Sequence, residues 1–339
     1  MFLQEAIDSV IDQLDENSNV EVIVSTCFDT TTSAHITTMY NSEIDKGVLR
    51  FITFPKAVNY GEQFVQTFEL SSGDIIFILE DDDIFLPEKI SKVSQLFEDS
   101  DEIICVKDNA WKFRYKIELS NLLKILEKTQ SVPEKISIET NYKQYKRLRN
   151  IKLWDWPSSI VLKREIITQN RHIILCNDPI DALIGIALLN SKGICIYFDY
   201  PLTGYRVHSS NDSISLMSIN DSSGFKKWLK TINKYYEGYF SALRIADTFS
   251  LQSKMMLREY YLRNLIARSS AGDNNITRTS YSVFKIVFRY LMENLPEVFK
   301  ANIKFSEKMG WYNTILKNSI SAILTTLKYY KKIKTLIYA

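Results

Sequence analysis

The most constraining feature of this chain is an apolar run that passes directly into a cluster of carboxylates. Residues 75–79 read Ile-Ile-Phe-Ile-Leu, and residues 80–83 read Glu-Asp-Asp-Asp. Five consecutive apolar residues predict a strand that is buried on both faces, as in a parallel sheet. Open α/β sheets bind their ligands at the carboxyl ends of such strands. Because four adjacent negative charges repel one another, the cluster favours a hard divalent cation that carries a phosphate-containing substrate.

Helical and strand patterns alternate along the first two hundred residues. Apolar residues at helical spacing predict an amphipathic helix over residues 2–14. Strand patterns follow at residues 20–24, 48–52, 75–79, 103–106, 159–162 and 194–198. The alternation predicts an α/β fold with a doubly wound, mostly parallel sheet flanked by helices. The run at 194–198 is the last strand that the pattern indicates, and the chain from about residue 222 onward reads as a helical appendage.

Charge divides the chain into an acidic region and a basic region. Residues 1–220 hold 32 acidic and 22 basic residues, a net charge of −10, whereas residues 221–339 hold 8 and 20, a net charge of +12. We expect these to be two structural regions. In the second, apolar residues recur at helical spacing from Trp311 to Leu327, and four lysines follow. That pattern leaves open contact with an anionic membrane surface or packing on a protein surface.

Cysteine usage and the amino terminus favour a cytoplasmic location. The four cysteines show no CxxC spacing, and the chain opens in a helical pattern rather than a secretory signal. Peripheral contact with the cytoplasmic membrane face is expected if the basic region binds lipid. No apolar stretch approaches the roughly 20 residues of a transmembrane helix. Three histidines argue against a His-rich zinc site, and no nucleic-acid partner is expected.

Three motifs, taken in order, resemble the family 2 glycosyltransferases of the GT-A fold, and the resemblance spans roughly residues 2–215. Residues 2–13 are similar to the first helix of that family. The strongest match is residues 73–90, preceded by Asn59-x-Gly61, which combine a Gly-Asp-led strand, a DxD-type acidic cluster and a Pro-Glu-Lys helix start. The third motif is Tyr205-Arg206-x-His208, similar to the family's closing signature.

The resemblance implies the transfer of a single sugar, with inversion, from a nucleotide-diphosphate sugar to the hydroxyl of a glycan or a lipid-linked acceptor. It implies Mg²⁺ or Mn²⁺ as cofactor, to neutralise the leaving diphosphate. It also implies residue roles: Asp178 as general base; Asp82 and His208 as metal ligands; Asp29, Asn59, Glu80, Asp81 and Arg206 at the nucleotide sugar; Trp154 and Trp156 at the acceptor. Residues 1–220 would then be the catalytic domain. No Gln-x-x-Arg-Trp signature of processive synthases occurs, which favours single transfer.

Several of these roles have structural alternatives. Asp178 precedes Pro179 and would suit the cap of a helix beginning there, His208 would suit a structural role, and the tryptophans would suit a core. The family also begins with a strand ahead of its first helix, and its second strand ends in an Asp-Asp pair. Here the first helix starts at the first residues, and only Asp29 follows the second strand. Either the reading frame begins upstream or part of the donor site is missing. If part of the donor site is missing, the alternative function is a catalytically inactive GT-A domain that acts as a binding or scaffold partner.

Overall fold

Helices and strands alternate along the computed structural model, which describes residues 2–16, 18–27, 36–54, 58–114, 132–138, 147–176, 179–208 and part of 231–260. The helices are α1 (Phe2–Ile11), α2 (Asn41–Asp45), α3 (Tyr60–Glu69), α4 (Lys89–Asp99), α5 (Arg164–Gln169), α6 (Arg171–Ile174) and α7 (Ile180–Leu189). The strands are β1 (Val22–Thr26), β2 (Leu49–Thr53), β3 (Ile75–Phe77), β4 (Ile84–Phe85), β5 (Ile103–Asp108), β6 (Trp111–Phe113), β7 (Glu134–Ile138), β8 (Ile160–Lys163), β9 (Gly193–Phe198) and β10 (Thr203–Arg206). The predicted α/β class, with helices flanking sheets, is confirmed.

The strands of the described residues form three sheets. The central sheet has the order β3-β8-β5-β9-β7, a second has the order β4-β10-β6, and β1 and β2 form a parallel pair. Three pairings are parallel (β1-β2, β5-β9 and β6-β10) and four are antiparallel. The expectation of a mostly parallel sheet is therefore met only in part, because β8 and β7 run against their neighbours.

The strand before the acidic cluster differs from the prediction of a doubly buried central strand. It covers Ile75–Phe77, its residues are partly exposed, and it lies at the edge of the central sheet, paired antiparallel with β8 alone. Ile78 and Leu79 leave the ladder to enter the acidic loop. The apolar character of the run is instead explained by side-chain packing: Phe77 and Leu79 contact the cluster formed by Val10, Phe85 and Ile90.

Four strands were missed by the sequence pattern, namely β4, β6, β7 and β10, and the last of these shapes the site. β10 (Thr203–Arg206) pairs antiparallel with β4 and parallel with β6, and all four of its residues are buried. It lacks an apolar run because it contains Gly204 and Arg206. A Cβ on Gly204 would lie 2.8 Å from the Ile84 side chain, so the sheet needs a glycine there. This strand delivers the Tyr-Arg-x-His motif to the acidic loop.

The helices α1 and α7 differ in how much of their surface is buried. The amphipathic α1 buries Leu3, Ala6, Ile7 and Val10, as its helical spacing predicts. The apolar α7 is buried at nine of its ten residues and lies in the main core. Its Gly185 packs so closely on Trp154 that an added Cβ would lie 2.4 Å from the Trp154 Cβ. Of the helices the structure describes, none combines the length and apolar character needed to cross a bilayer.

Most of the predicted basic region, including the 311–334 pattern, lies outside the described residues. Its proposed membrane or subunit contact, and the boundary near residue 220, therefore stay predictions. The described helical positions between 231 and 260 include Tyr239 and Met256, which are buried in the main core. Some of the chain beyond residue 220 thus packs on the sheet domain.

Candidate active site

A tight loop between β3 and β4 brings three carboxylates together. The Asp83 amide donates to the Glu80 carbonyl (3.2 Å), and the Glu80 amide donates to Ser158 Oγ (3.0 Å). Glu80, Asp82 and Asp83 each direct one carboxylate oxygen into a common space, with these atoms within 4.8 Å of one another. This set is the acidic triad of the site. Asp81, the fourth member of the sequence cluster, is exposed and lies outside it.

Burial and mutual repulsion destabilise the charged form of the triad. Burial, followed by the charges of Asp83 and Asp82, raises the pKa of Glu80 well above its usual value. Burial also raises the pKa of Asp83 to about 7. Asp83 Oδ1 accepts the Arg206 amide (2.9 Å), but Oδ2 is buried and accepts no hydrogen bond from the described residues. A buried carboxylate oxygen without a partner is costly, so this loop is arranged for a positive ligand.

The triad fits a divalent cation. Its donors are all carboxylate oxygens, the ligands that Mg²⁺ and Mn²⁺ prefer. A cation there would give Asp83 Oδ2 a partner and relieve the repulsion at Glu80. We expect Glu80, Asp82 and Asp83 to hold it, which adds Asp83 and Glu80 to the sequence-predicted ligand Asp82.

Cation affinity should therefore depend on pH. Asp83 must lose its proton to bind, and its pKa is raised, so protons compete with the metal below about pH 7. We expect Mn²⁺ to bind about tenfold more weakly at pH 6 than at pH 8, measured by isothermal titration calorimetry with proton release followed in two buffers. Asp83→Asn should bind more weakly overall and lose the part of the pH dependence that comes from Asp83, while the part that comes from Glu80 remains. Equal wild-type affinity at both pH values would contradict this.

His208 lies at the triad, as the sequence predicts. Its Nε2 is 2.7 Å from Asp82 Oδ2, and its ring centre is 5.0 Å from that of Phe2 in α1. The motif of residues 205–208 and the acidic loop therefore meet, although 126 positions separate the two side chains. Direct metal ligation by His208 stays a prediction, and its contact with Asp82 would in either case orient that carboxylate.

Arg206 is buried and connects the acidic loop with α1 and β6. Its side chain is 2% exposed, and its Nε donates to the Asp82 carbonyl (2.8 Å) while a terminal nitrogen donates to Glu5 Oε2 (2.7 Å). Its guanidinium lies over the rings of Phe2 (4.4 Å) and Phe113 (4.5 Å). These contacts give Arg206 a structural function in holding the acidic loop against α1. Its predicted contact with a diphosphate is not needed to explain its position.

A buried lysine pair behind the loop was missed by the sequence reasoning. Lys89 Nζ donates to Asp108 Oδ2 (3.0 Å), the Ser158 carbonyl (2.7 Å) and Thr203 Oγ1 (2.5 Å), and its side chain is fully buried. Lys107 donates to the Asp155 carbonyl (2.6 Å) and to Ser159 Oγ. Together they fix the turn at 157–159 that contacts Glu80. A Lys-Asp pair ending the apolar strand Ile103–Asp108 was the available signal.

The two tryptophans of the predicted acceptor pocket lie in different environments. Trp154 is 3% exposed, donates from Nε1 to the Tyr260 hydroxyl, and packs on α7, so it belongs to the core, the alternative that the sequence left open. Trp156 is only partly buried and has a left-handed backbone with φ of 59°. Its ring faces Tyr205 at 5.7 Å, so Trp156 alone is positioned beside the site.

The remaining predicted residues have different outcomes. Asp29 and Asp178 lie outside the described residues, so their roles stay predictions. Asn59 caps α3, since its side chain accepts the Glu62 amide (2.9 Å), and a donor contact is untested. Asp181, which the sequence reasoning did not select, lies in the first turn of α7, and its negative charge contributes to the raised pKa of Glu80. The helical position three residues after Asp178 was the available signal.

Comparisons with known proteins connect this geometry to one family. Residues 2–167 match the family model described as Glycosyl transferase family 2. Similar solved structures include TarS residues 1–349 of S. aureus in complex with UDP-GlcNAc (8% identity, 82% of this chain and 88% of that chain, TM-score 0.47). Another is the mannosyltransferase PcManGT of Pyrobaculum calidifontis in complex with GDP-Man and Mn²⁺ (11% identity, 96% and 83%, TM-score 0.47). No curated protein matches the chain significantly.

Proposed function

We propose that this chain, whose residues 2–167 match the family model described as Glycosyl transferase family 2, transfers one sugar from a nucleotide-diphosphate sugar to an acceptor hydroxyl, with inversion and with a divalent metal. The observation that carries the proposal is the acidic triad, whose buried Asp83 oxygen lacks a partner among the described residues. Such a site is suited to the metal that accompanies a diphosphate. The two ligand-bound structures contain nucleotide sugars, and one contains Mn²⁺.

The chain's own groups would divide the chemistry into two parts. Glu80, Asp82 and Asp83 would hold the cation, and a cation held there would neutralise charge on the departing diphosphate. A carboxylate on the acceptor side removes the proton of the attacking hydroxyl. Asp178 is the sequence-predicted base, and Asp181 is the second candidate because it lies in the first turn of α7 and its charge acts on Glu80. One base and one metal site suffice for a single displacement, which inverts the anomeric carbon.

Donor turnover tests this proposal directly. A panel of UDP-, GDP- and dTDP-sugars would be incubated with Mn²⁺, and nucleoside diphosphate release would be measured with and without candidate glycan or lipid-linked acceptors. We expect turnover of at least one donor, and an anomeric configuration opposite to that of the donor by NMR. Release of no diphosphate from any donor, combined with retained nucleotide binding, would favour the inactive scaffold alternative.

Kinetic measurements should distinguish the predicted general base, Asp178, from Asp181. Asp178→Asn is expected to lower kcat by about 10² to 10⁴, the range for loss of a general base, with a small change in the donor KM. Asp181→Asn, if Asp181 only adds charge near Glu80, should lower kcat by less than about tenfold and shift the pH profile. The assignment of Asp178 would be overturned if the two variants exchanged these effects.

A further inference from the structure

We propose that the acceptor carries a phosphate group, bound by Lys112 and Lys152 beside Trp156. This inference rests on the proposed glycosyl transfer and names the acceptor class. The amine of Lys112 lies 4.8 Å from the Trp156 ring centre and that of Lys152 lies 5.1 Å away. Both lysines are exposed, and neither forms a salt bridge with a carboxylate in the described part of the chain.

A third lysine adds positive charge near the same ring. Lys107 is 1% exposed, and its amine lies 5.5 Å from the ring centre. It is held by the Asp155 carbonyl and Ser159 Oγ, and the Asp155 charge acts on it. The two exposed lysines therefore supply the accessible charge, while Lys107 is buried and held by its hydrogen bonds.

The elements that carry these lysines are set by the fold. Lys112 lies in β6, directly opposite Tyr205 of β10 in a parallel pairing, and Tyr205 faces Trp156. Lys152 and Trp156 both have positive φ, 54° and 59°, conformations that cost side-chain-bearing residues energy. The backbone thus adopts two unfavourable conformations, at Lys152 and at Trp156, whose side chains lie close together. Ammonium groups gathered around one aromatic ring repel one another, and an anion that both exposed amines contact would reduce that repulsion.

The cluster lies next to the chemistry but is not part of the metal site. Trp156 lies two residues before Ser158, whose hydroxyl accepts the Glu80 amide. Tyr205 lies directly before Arg206, whose amide donates to Asp83. The donor diphosphate is expected at the triad, where the cation binds. A second phosphate held at Trp156 would place the neighbouring acceptor hydroxyl toward the triad, with the indole edge beside the acceptor.

Direct binding tests the proposal without relying on catalysis. Glucose 6-phosphate and glucose would be titrated by NMR into the full chain with the donor site saturated by Mn²⁺ and UDP, or by whichever nucleoside diphosphate binds. We expect the phosphorylated probe to bind at least about tenfold more tightly. Lys112→Gln and Lys152→Gln should each weaken it about three- to tenfold, the range for loss of an exposed charge-assisted contact.

A matched variant controls for net charge. Lys192→Gln removes the same charge from an exposed lysine just before β9 begins at Gly193. The lysine cluster lies toward the opposite end of that strand, where Lys107 pairs with Tyr197. It should leave binding unchanged. The proposal is overturned by equal binding of both probes, by an equal effect of Lys192→Gln, or by displacement of the probe as the nucleotide is raised. Donor turnover by the wild type is measured separately, so failure of the transferase function would remain distinguishable.

Discussion

Asp82→Asn is expected to reduce sugar transfer by about 10³-fold or more. The substitution removes a triad carboxylate and its charge, and leaves the asparagine amide beside His208, whose Nε2 lies 2.7 Å from Asp82 Oδ2. Loss of a single group that stabilises transition-state charge costs about 10² to 10³, and loss of the metal costs more. The backbone contact from Arg206 to the Asp82 carbonyl is retained, so the loop should keep its shape.

The measurement is diphosphate release at saturating donor, with Mn²⁺ affinity determined on the same protein. Asp74→Asn is the matched control, because Asp74 is an exposed carboxylate just before β3. It should keep wild-type activity. Retention of more than a tenth of the activity by Asp82→Asn would show that the triad is not the site of metal assistance.

Lys89→Met is expected to destabilise the fold by about 3–5 kcal/mol. The side chains of Lys89 and Asp108 are 0% and 2% exposed, so removing the cation leaves a buried carboxylate with only the Thr203 hydroxyl and the Leu202 amide as partners. Removal of one member of a buried ion pair typically has this cost. For a domain of this size, the loss corresponds to a fall in Tm of roughly 10 °C or more.

Lys92→Met provides the control on the same helix. Lys92 pairs with Glu88 at 2.7 Å, but the two side chains are 38% and 60% exposed, and such pairs contribute little. Its cost should stay within about 0.5 kcal/mol in urea unfolding. The double variant Lys89→Met/Asp108→Leu should lose less than the sum of the two single variants. Simple additivity would refute the coupling.

The sequence predicted the acidic cluster and its meeting with His208 because these residues stand in a recognisable order of motifs. It did not predict which carboxylates converge. Asp83 joins the triad and Asp81 does not, since the turn closed by the Asp83 amide and the Glu80 carbonyl sets their directions. A run of four acids has no periodicity from which that turn could be read.

Other misses have the same physical origin. Trp154 and Trp156 are two positions apart in a similar composition, yet one is core and the other is held at positive φ. Their difference depends on tertiary contacts with Gly185 and Tyr205. Likewise, β10 has no apolar signature, because its burial comes from the sheet that it completes rather than from its own side chains.

The position of Phe2 has a practical consequence for handling this protein. Its ring contacts both the Arg206 guanidinium and the His208 imidazole. Whatever precedes Phe2 along the chain, whether native residues or an affinity tag, therefore lies within one residue of groups that orient Asp82. Metal titrations should be compared between proteins that differ only ahead of Phe2.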